Sequence, residues 1–286
     1  MRDKNTVFHQ NYSLNIGSRS IDLSTPRVMG ILNLTPDSFY DGGRHNTLES
    51  AMHKAEQMLS EGADFIDIGA YSSRPGAIDI SVAEEKERLL PVIEMLLKRF
   101  PDTLISIDTF RSEVAKEALD KGVHIINDIS AGMLDNKMLG TVAKFNAPYI
   151  MMHMKGSPQT MQSEAFYTDV VKEVVDYFIA RIKQAKESGI NNLIIDPGFG
   201  FAKNNVHNYA LLNHLDELNS LGFPLLAGVS RKSMIWKTLE ITAEEALNGT
   251  TVLNTVALLK GACILRVHDV KPAVEAIKLV SQLKSA

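Results

Sequence analysis

From Pro26 onward the chain alternates two patterns, short apolar runs and longer amphipathic stretches. The apolar runs are Val28-Met29-Gly30-Ile31-Leu32, Phe65-Ile66-Asp67-Ile68, Leu104-Ile105-Ser106-Ile107, His124-Ile125-Ile126, Pro148-Tyr149-Ile150-Met151-Met152, Leu193-Ile194-Ile195, Pro224-Leu225-Leu226-Ala227 and Cys263-Ile264-Leu265-Arg266-Val267. Runs this short and continuous suit strands buried on both faces, as in a parallel sheet. Between them the spacing predicts helices over 47–61, 81–99, 111–121, 134–145, 168–188, 205–220, 243–260 and 270–284. Gly62, Gly122, Gly189, Gly222 and Gly261 stand where helices should stop. Thr47 is the expected N-cap of the first helix, with Ser50 at the capping-box position. Ahead of Pro26, alternating residues from Thr6 to Leu23 around Asn15-Ile16-Gly17-Ser18 predict a β-hairpin.

Eight strand-then-helix units after a hairpin predict an α/β fold, a (β/α)8 TIM barrel. The expected organisation is a single domain over residues 1–286, with 1–25 as the hairpin and 26–286 as the barrel. An open doubly wound sheet would have fewer strands, and no Gly-rich dinucleotide turn follows the first one. A chain of 286 residues, 45% hydrophobic and 22% charged, can bury a core of that size without staples.

The net charge of −4 gives no basic field for nucleic acid or an anionic membrane, although a local basic site could still take a phosphate. Cys263 has no partner cysteine and reads as a small buried hydrophobe. The polar start, Met1-Arg2-Asp3-Lys4-Asn5, predicts no signal peptide, and no run is long enough for a membrane helix, so the expected location is the cytoplasm.

Functional groups of such a barrel project from the C-terminal ends of its strands. Those ends carry Asn33, Asp108, Asn127, Asp196, Lys232, Arg266 and His268, too many converging groups for helix capping alone. Arg266 and His268 are two residues apart on one strand and share a face, as paired cationic donors for phosphate or pyrophosphate would. Ser230-Arg231-Lys232-Ser233 adds charge and hydroxyls. Asp196, Asn127 and Asp108 suit a flat heterocycle edged with N–H donors. Asn33 and Asp41 supply hard oxygens of the kind Mg²⁺ accepts while keeping waters and substrate oxygens. Gly-rich polar loops after strands 1 and 2 could close over a substrate.

Seven segments, in order from about residue 28 to the C-terminus, resemble the dihydropteroate synthase family. They are Asn33-Leu34-Thr35-Pro36-Asp37-Ser38-Phe39 with Asp41-Gly42-Gly43, Ser73-Arg74-Pro75-Gly76-Ala77, Ser106-Ile107-Asp108-Thr109, Asn127-Asp128-Ile129-Ser130, Asp196-Pro197-Gly198-Phe199-Gly200-Phe201, Ser230-Arg231-Lys232-Ser233 and Arg266-Val267-His268-Asp269-Val270. The resemblance implies a cytoplasmic, monofunctional transferase and sulfonamide target. It would condense a dihydropterin pyrophosphate with p-aminobenzoate to dihydropteroate, with Mg²⁺ and as a homodimer. It implies that Asp196, Asn127, Asp108 and Lys232 bind the pterin over Met152. Arg266, His268 and Asn33 would hold the pyrophosphate, with Asn33 and Asp41 on Mg²⁺. Phe39, Ser73, Arg74, Pro75, Phe201, Lys232 and Ser233 would form the p-aminobenzoate pocket. Lys232, Asp41, Arg266 and His268 would carry the catalysis.

Ala70-Tyr71-Ser72-Ser73 departs from the family's usual Gly-Glu-Ser-Thr, and Tyr40 stands where Ser is usual. Two alternatives share the pattern: a methyltransferase from a methylfolate to a corrinoid protein, and a non-catalytic pterin-binding barrel. The remaining histidines, His45, His53, His207 and His214, read as solvated; His153 has no assigned role. Met151 and Met154 read equally as core filler or as site residues, and Glu84-Glu85-Lys86-Glu87-Arg88 as an exposed helix face.

Overall fold

The computed structural model of the chain describes residues 12–17, 19–34, 43–72 and 79–285. The hairpin is β1 (Ser13–Ile16) and β2 (Arg19–Asp22), paired with Ile16 opposite Arg19. Gly17 sits at φ +57°, the left-handed conformation a two-residue hairpin turn needs.

Eight parallel strands follow: β3 (Arg27–Asn33), β4 (Phe65–Gly69), β5 (Leu104–Asp108), β6 (Ile125–Asp128), β7 (Tyr149–Met152), β8 (Leu193–Asp196), β9 (Leu226–Ala227) and β10 (Ile264–Val267). The sheet runs β8-β7-β6-β5-β4-β3-β10-β9. A parallel bridge from Ile195 to Leu225, with the Ile195 N–H donating to Pro224 O at 3.0 Å, joins its two ends. The eight predicted strands are all present, in a barrel.

Around it lie α1 (Gly43–Ser60), α2 (Val82–Arg99), α3 (Ser112–Asp120), α4 (Met138–Phe145), α5 (Val170–Glu187), α6 (Asn205–Asn213), α7 (Ser233–Leu239), α8 (Leu247–Leu259) and α9 (Val270–Ser285). The five glycines expected to stop helices all have positive φ, between 78° and 100°. Three expectations about the helices change. Helix α1 begins at Gly43, so Thr47 lies inside it; nothing in Arg44-His45-Asn46 forbids a further turn. The stretch 205–220 splits into α6 and a 3₁₀ segment, Leu215–Leu221, at Asn213-His214, two weak helix formers. The stretch 243–260 starts only at Leu247, and α7 is an additional helix immediately after Lys232.

The core has two shells. The outer one packs the sheet against the helices, with Ile66, Ile68, Ile105, Ile107, Ile126 and Met151 fully buried. The inner one fills the lower half of the barrel with Met29, Phe65, Leu104, Ile125, Ile150, Ile194, Leu226 and Ile264. Leu14, Ile16 and Leu23 of the hairpin complete that layer and stopper the N-terminal end. Burying each such side chain stabilises the fold by about 1.5–3 kcal/mol, and the plug leaves the other end of the barrel as the open one.

Candidate functional site

Side chains alternate across a strand, so inward positions follow every second residue. Two residues above the apolar layer those positions become polar: Asp67 above Phe65, Ser106 above Leu104, Asn127 above Ile125, Asp196 above Ile194 and Arg266 above Ile264. At the strand ends Asn33, Gly69, Asp108 and Asn127 lie side by side in register across β3 to β6. The barrel is therefore dry at the bottom and charged at the top.

Arg266 organises one side of this floor. Its Nε donates to Asp67 Oδ2 at 2.7 Å, and its Nη2 lies 2.6 Å from Asp67 Oδ2 and 2.7 Å from Asp108 Oδ2. Asn127 Nδ2 donates to the same Asp67 oxygen at 3.1 Å. Burial pushes the Asp108 carboxyl up to about 7; Arg266 pulls against that, and the Asp67 charge adds to it. Asp67 is fully buried, yet among the described residues its Oδ1 has no partner, and neither has the neighbouring Ser106 Oγ. In this structure the Arg266 guanidinium is committed to two carboxylates.

The opposite side is built from β8 and the segment after β9. Asp196 Oδ1 accepts from the Gly198 N–H at 2.8 Å, and burial raises its carboxyl pKa against the pull of Lys232. The Lys232 ammonium donates to Phe199 O at 2.5 Å and stands 5.0 Å from the centre of the Phe201 ring. Burial pushes Lys232 down to about 8, while Asp196 works in the other direction. A Cβ placed on Gly228 would lie 3.7 Å from Lys232 Nζ, 3.9 Å from Asp196 Oδ2 and 3.9 Å from Arg266 Cβ. Gly228 therefore leaves a space that all three groups border. On the other wall Gly69 lets Asp108 approach closely, since a Cβ there would crowd Asp108 Cβ at 3.3 Å. Met152 and Phe201 share an apolar cluster with Ile129, Met154, Met161 and Ala202, which supplies a greasy side to an otherwise polar cavity.

His268 Nδ1 is 3.1 Å from Ser230 Oγ, which also accepts from the His268 N–H at 3.2 Å. Burial, with help from Arg266, lowers the His268 pKa to about 4. A neutral imidazole at this position can still offer a hydrogen bond from its ring N–H. Arg231 also leaves the set of site charges. It forms a bidentate pair with Asp269 at 2.8 and 2.9 Å and donates to Ala243 O and Glu244 O, which fastens the segment before α7 to α9.

The structure thus gathers Asp108, Asn127, Met152, Asp196, Phe201, Lys232, Arg266 and His268 around one mouth. Asn33 and Ser233 stand at the same end, at the end of β3 and the start of α7. Among the described residues no hydrogen bond ties either of them to the network. Phe39, Tyr40, Asp41, Ser73, Arg74 and Pro75 lie outside the described residues.

Sequence reading missed three buried charges. Asp67 was passed over inside an apolar run, although its parity with Phe65 and Gly69 aims it inward. Lys203 is 4% exposed, and its ammonium touches His153 Nδ1 at 2.9 Å. Glu85, expected on an exposed face, is fully buried between Thr109 and Arg111 at 2.7 and 2.8 Å. The rest of that run does form mixed pairs, Glu84 with Arg88 and Lys86 with Glu113 and Glu117. His207, expected to be solvated, is half-buried and closes a capping box with Asn204.

Residues 29–268 match the family described as pterin binding enzyme. The chain is 47% identical over 269 residues to the dihydropteroate synthase of Escherichia coli strain K12, covering 93% of this chain and 95% of that one. The chain belongs to the dihydropteroate synthase family. Solved structures agree. The Yersinia pestis dihydropteroate synthase with a sulfonamide drug superposes with a TM-score of 0.90 at 44% identity, covering 96% of this chain and 100% of that one. The Xanthomonas albilineans dihydropteroate synthase in complex with 7,8-dihydropteroate gives 0.87 at 38% identity, covering 96% and 100%. Members of this family are transferases, and none of these relatives is named for methyl transfer to a corrinoid.

Proposed function

We propose that the chain condenses 6-hydroxymethyl-7,8-dihydropterin pyrophosphate with p-aminobenzoate, releasing pyrophosphate and 7,8-dihydropteroate. The observation that carries this reading is the space over Gly228, bordered by Asp196, Lys232 and Arg266, with Arg266 paired to Asp108 and Asn127 in register beside Asp108. A pterin presents ring N–H and amino donors along one edge and a carbonyl along the next. The Asp196 carboxylate suits the donors and the Lys232 ammonium suits the carbonyl. Asp108 and Asn127 suit the remaining edge, and Met152 the ring face.

The side chains then act by holding and by placing charge. The methylene–oxygen bond breaks with its electron pair leaving on the pyrophosphate, and the positive charge spreads into the pterin. His268 donates a neutral hydrogen bond toward the leaving group. Helix α9 follows it directly, so the positive end of a 16-residue helix faces the same place. The arylamine is neutral at pH 7; its nitrogen lone pair closes the new C–N bond and its proton passes to solvent. No strong general base is required, so positioning and electrostatics dominate.

Among the described residues no three His, Cys, Asp or Glu side chains cluster to cage a metal. Asn33 offers a single hard oxygen at the mouth, a lean donor set that fits Mg²⁺ shared with substrate phosphates and water. Bound there with the help of Asp41, Mg²⁺ would neutralise charge on the departing pyrophosphate.

Two further proposals concern setting. A homodimer is supported by exposed Val252 and Leu259 on α8 beside Leu279 and Leu283 on α9, an apolar face on two packed helices. Among the described residues no helix is long and apolar enough to cross a membrane, which is compatible with action in the cytoplasm.

The test is direct. Purified protein with dihydropterin pyrophosphate, p-aminobenzoate and Mg²⁺ should form dihydropteroate and release pyrophosphate. Folded protein that binds the pterin but yields no product would overturn the reading in favour of a non-catalytic pterin binder. Asp196→Ala should lose pterin binding, since each ring donor left unpaired costs about 1–3 kcal/mol.

A further inference from the structure

The segment after β8, residues 197–203, has an unusual backbone. Gly198, Gly200 and Ala202 have φ of +69°, +83° and +49°, and Ala202 is fully buried. A non-glycine residue in the left-handed region is held there by its surroundings. The centre of the arch is a single ammonium. Lys203 Nζ donates to Gly198 O and Phe201 O, each at 3.0 Å, reaches His153 O at 3.5 Å, and meets His153 Nδ1 at 2.9 Å. The arch is also pinned to the end of β7, because a Cβ on Gly198 would lie 2.1 Å from His153 O. Its two ends carry site groups: the Gly198 N–H orients the Asp196 carboxylate, and Phe201 stacks beneath Lys232.

We propose that Lys203 is a positioning residue for both substrates: its buried ammonium gathers the carbonyls of this arch and so fixes Asp196 for the pterin and Phe201 for the arylamine. The proposal rests on the site reading above. Lys203 is not among the nearest neighbours of a Cβ on Gly228, and it acts through the backbone it holds. Burial lowers its pKa well below the usual lysine value; the Asp196 carboxylate pulls against that, and the Lys232 and Lys155 charges add to it.

The experiment uses full-length Lys203→Met and Lys203→Ala, with circular dichroism and thermal unfolding to establish folding. KM for the pterin pyrophosphate and for p-aminobenzoate should each rise about tenfold or more, while kcat changes by less than about threefold. Ethylammonium should restore both KM values in Lys203→Ala, and ethanol, its neutral counterpart, should not. Lys203→Gln keeps a donor at the chain end and serves if the other two unfold; it should show a smaller rise of the same two constants. Unchanged KM values in any folded variant, or equal rescue by ethanol, would overturn the proposal. Asp196→Ala is the control: normal pterin affinity there would overturn the underlying site reading, and the proposal with it.

Discussion

Asp67 is the residue whose removal should reveal most about how the floor of the site is held. It is fully buried and accepts from Arg266 Nε at 2.7 Å and Asn127 Nδ2 at 3.1 Å, with Arg266 Nη2 at 2.6 Å. The Arg266 side chain is 17% exposed, so solvent screens the pair little. Breaking a buried pair by deleting one partner costs about 3–5 kcal/mol. Arg266 would still keep Asp108 at 2.7 Å, so the lower end applies to Asp67→Ala, about 3 kcal/mol. For a chain of this length that lowers Tm by roughly 5 °C.

Asp67→Asn isolates the charge. The introduced amide keeps an oxygen for Arg266 and Asn127, and its NH₂ falls where Oδ1 now has no partner. Hydrogen bonds to charged groups exceed neutral ones by about 1 kcal/mol each, so the two Arg266 contacts predict a loss of about 2 kcal/mol. The Asp67 charge also raises the Asp108 pKa. Its removal should lower that pKa and move the acid limb of pterin binding to lower pH. Thermal unfolding and calorimetric titration with a dihydropterin from pH 5 to 9 measure both effects. Unchanged Tm in both variants, or an acid limb displaced upward in Asp67→Asn, would refute the reasoning.

Lys232 titrates near 8 in the fold against an ordinary value of 10.5. Between those two pH values the unfolded chain binds the extra proton, so stability of the free protein should rise with pH, while pterin affinity falls as the ammonium is lost. Lys232→Met should abolish both trends, measured by chemical unfolding and pterin titration. Gly228→Ala adds a methyl at ordinary contact distance from Lys232, Asp196 and Arg266. It should shift stability by less than about 0.5 kcal/mol yet weaken pterin binding at least about tenfold, which thermal unfolding and titration separate. Arg231→Ala breaks a bidentate pair whose side chains are 24% and 23% exposed, and should lower stability by about 2–4 kcal/mol. Arg231→Lys should restore little of that loss on thermal unfolding, because an ammonium cannot span both Asp269 oxygens.

Which parts of this were legible in the sequence follows from how far each signal reaches. The strands were legible because burial on both faces writes itself into consecutive residues, and the strand-end groups because a parallel barrel puts all C-terminal ends on one rim. Asp108, Asn127, Asp196 and Arg266 needed nothing further. For Asp67 only the inward direction was legible, because the residue that makes it tolerable, Arg266, is 199 positions away and only the pairing of β10 with β3, and of β3 with β4, brings them together. Lys203 and Glu85 failed for the same reason. A charge on a loop or helix reads as solvated unless its partners are known, and theirs are carbonyls of an arch in one case and Arg111 of the next unit in the other.

The protonation state of His268 shows the same limit from the other side. Two residues from an arginine, it looks like a second cation, but that arginine, packed beside it and itself satisfied by two carboxylates, helps keep it neutral. A formal count of strand-end charges therefore overstates the positive field at the mouth. Of Arg231, Lys232, Arg266 and His268, one is tied to Asp269, one is held between Asp67 and Asp108, and one is neutral. Lys232 is the strand-end cation among these four that faces Asp196 across the space over Gly228. Charge at this site is spent on fixing geometry first. On the proposed reading of the site, selectivity for a pterin comes from where the carboxylates and one ammonium are held, rather than from how much charge the rim carries.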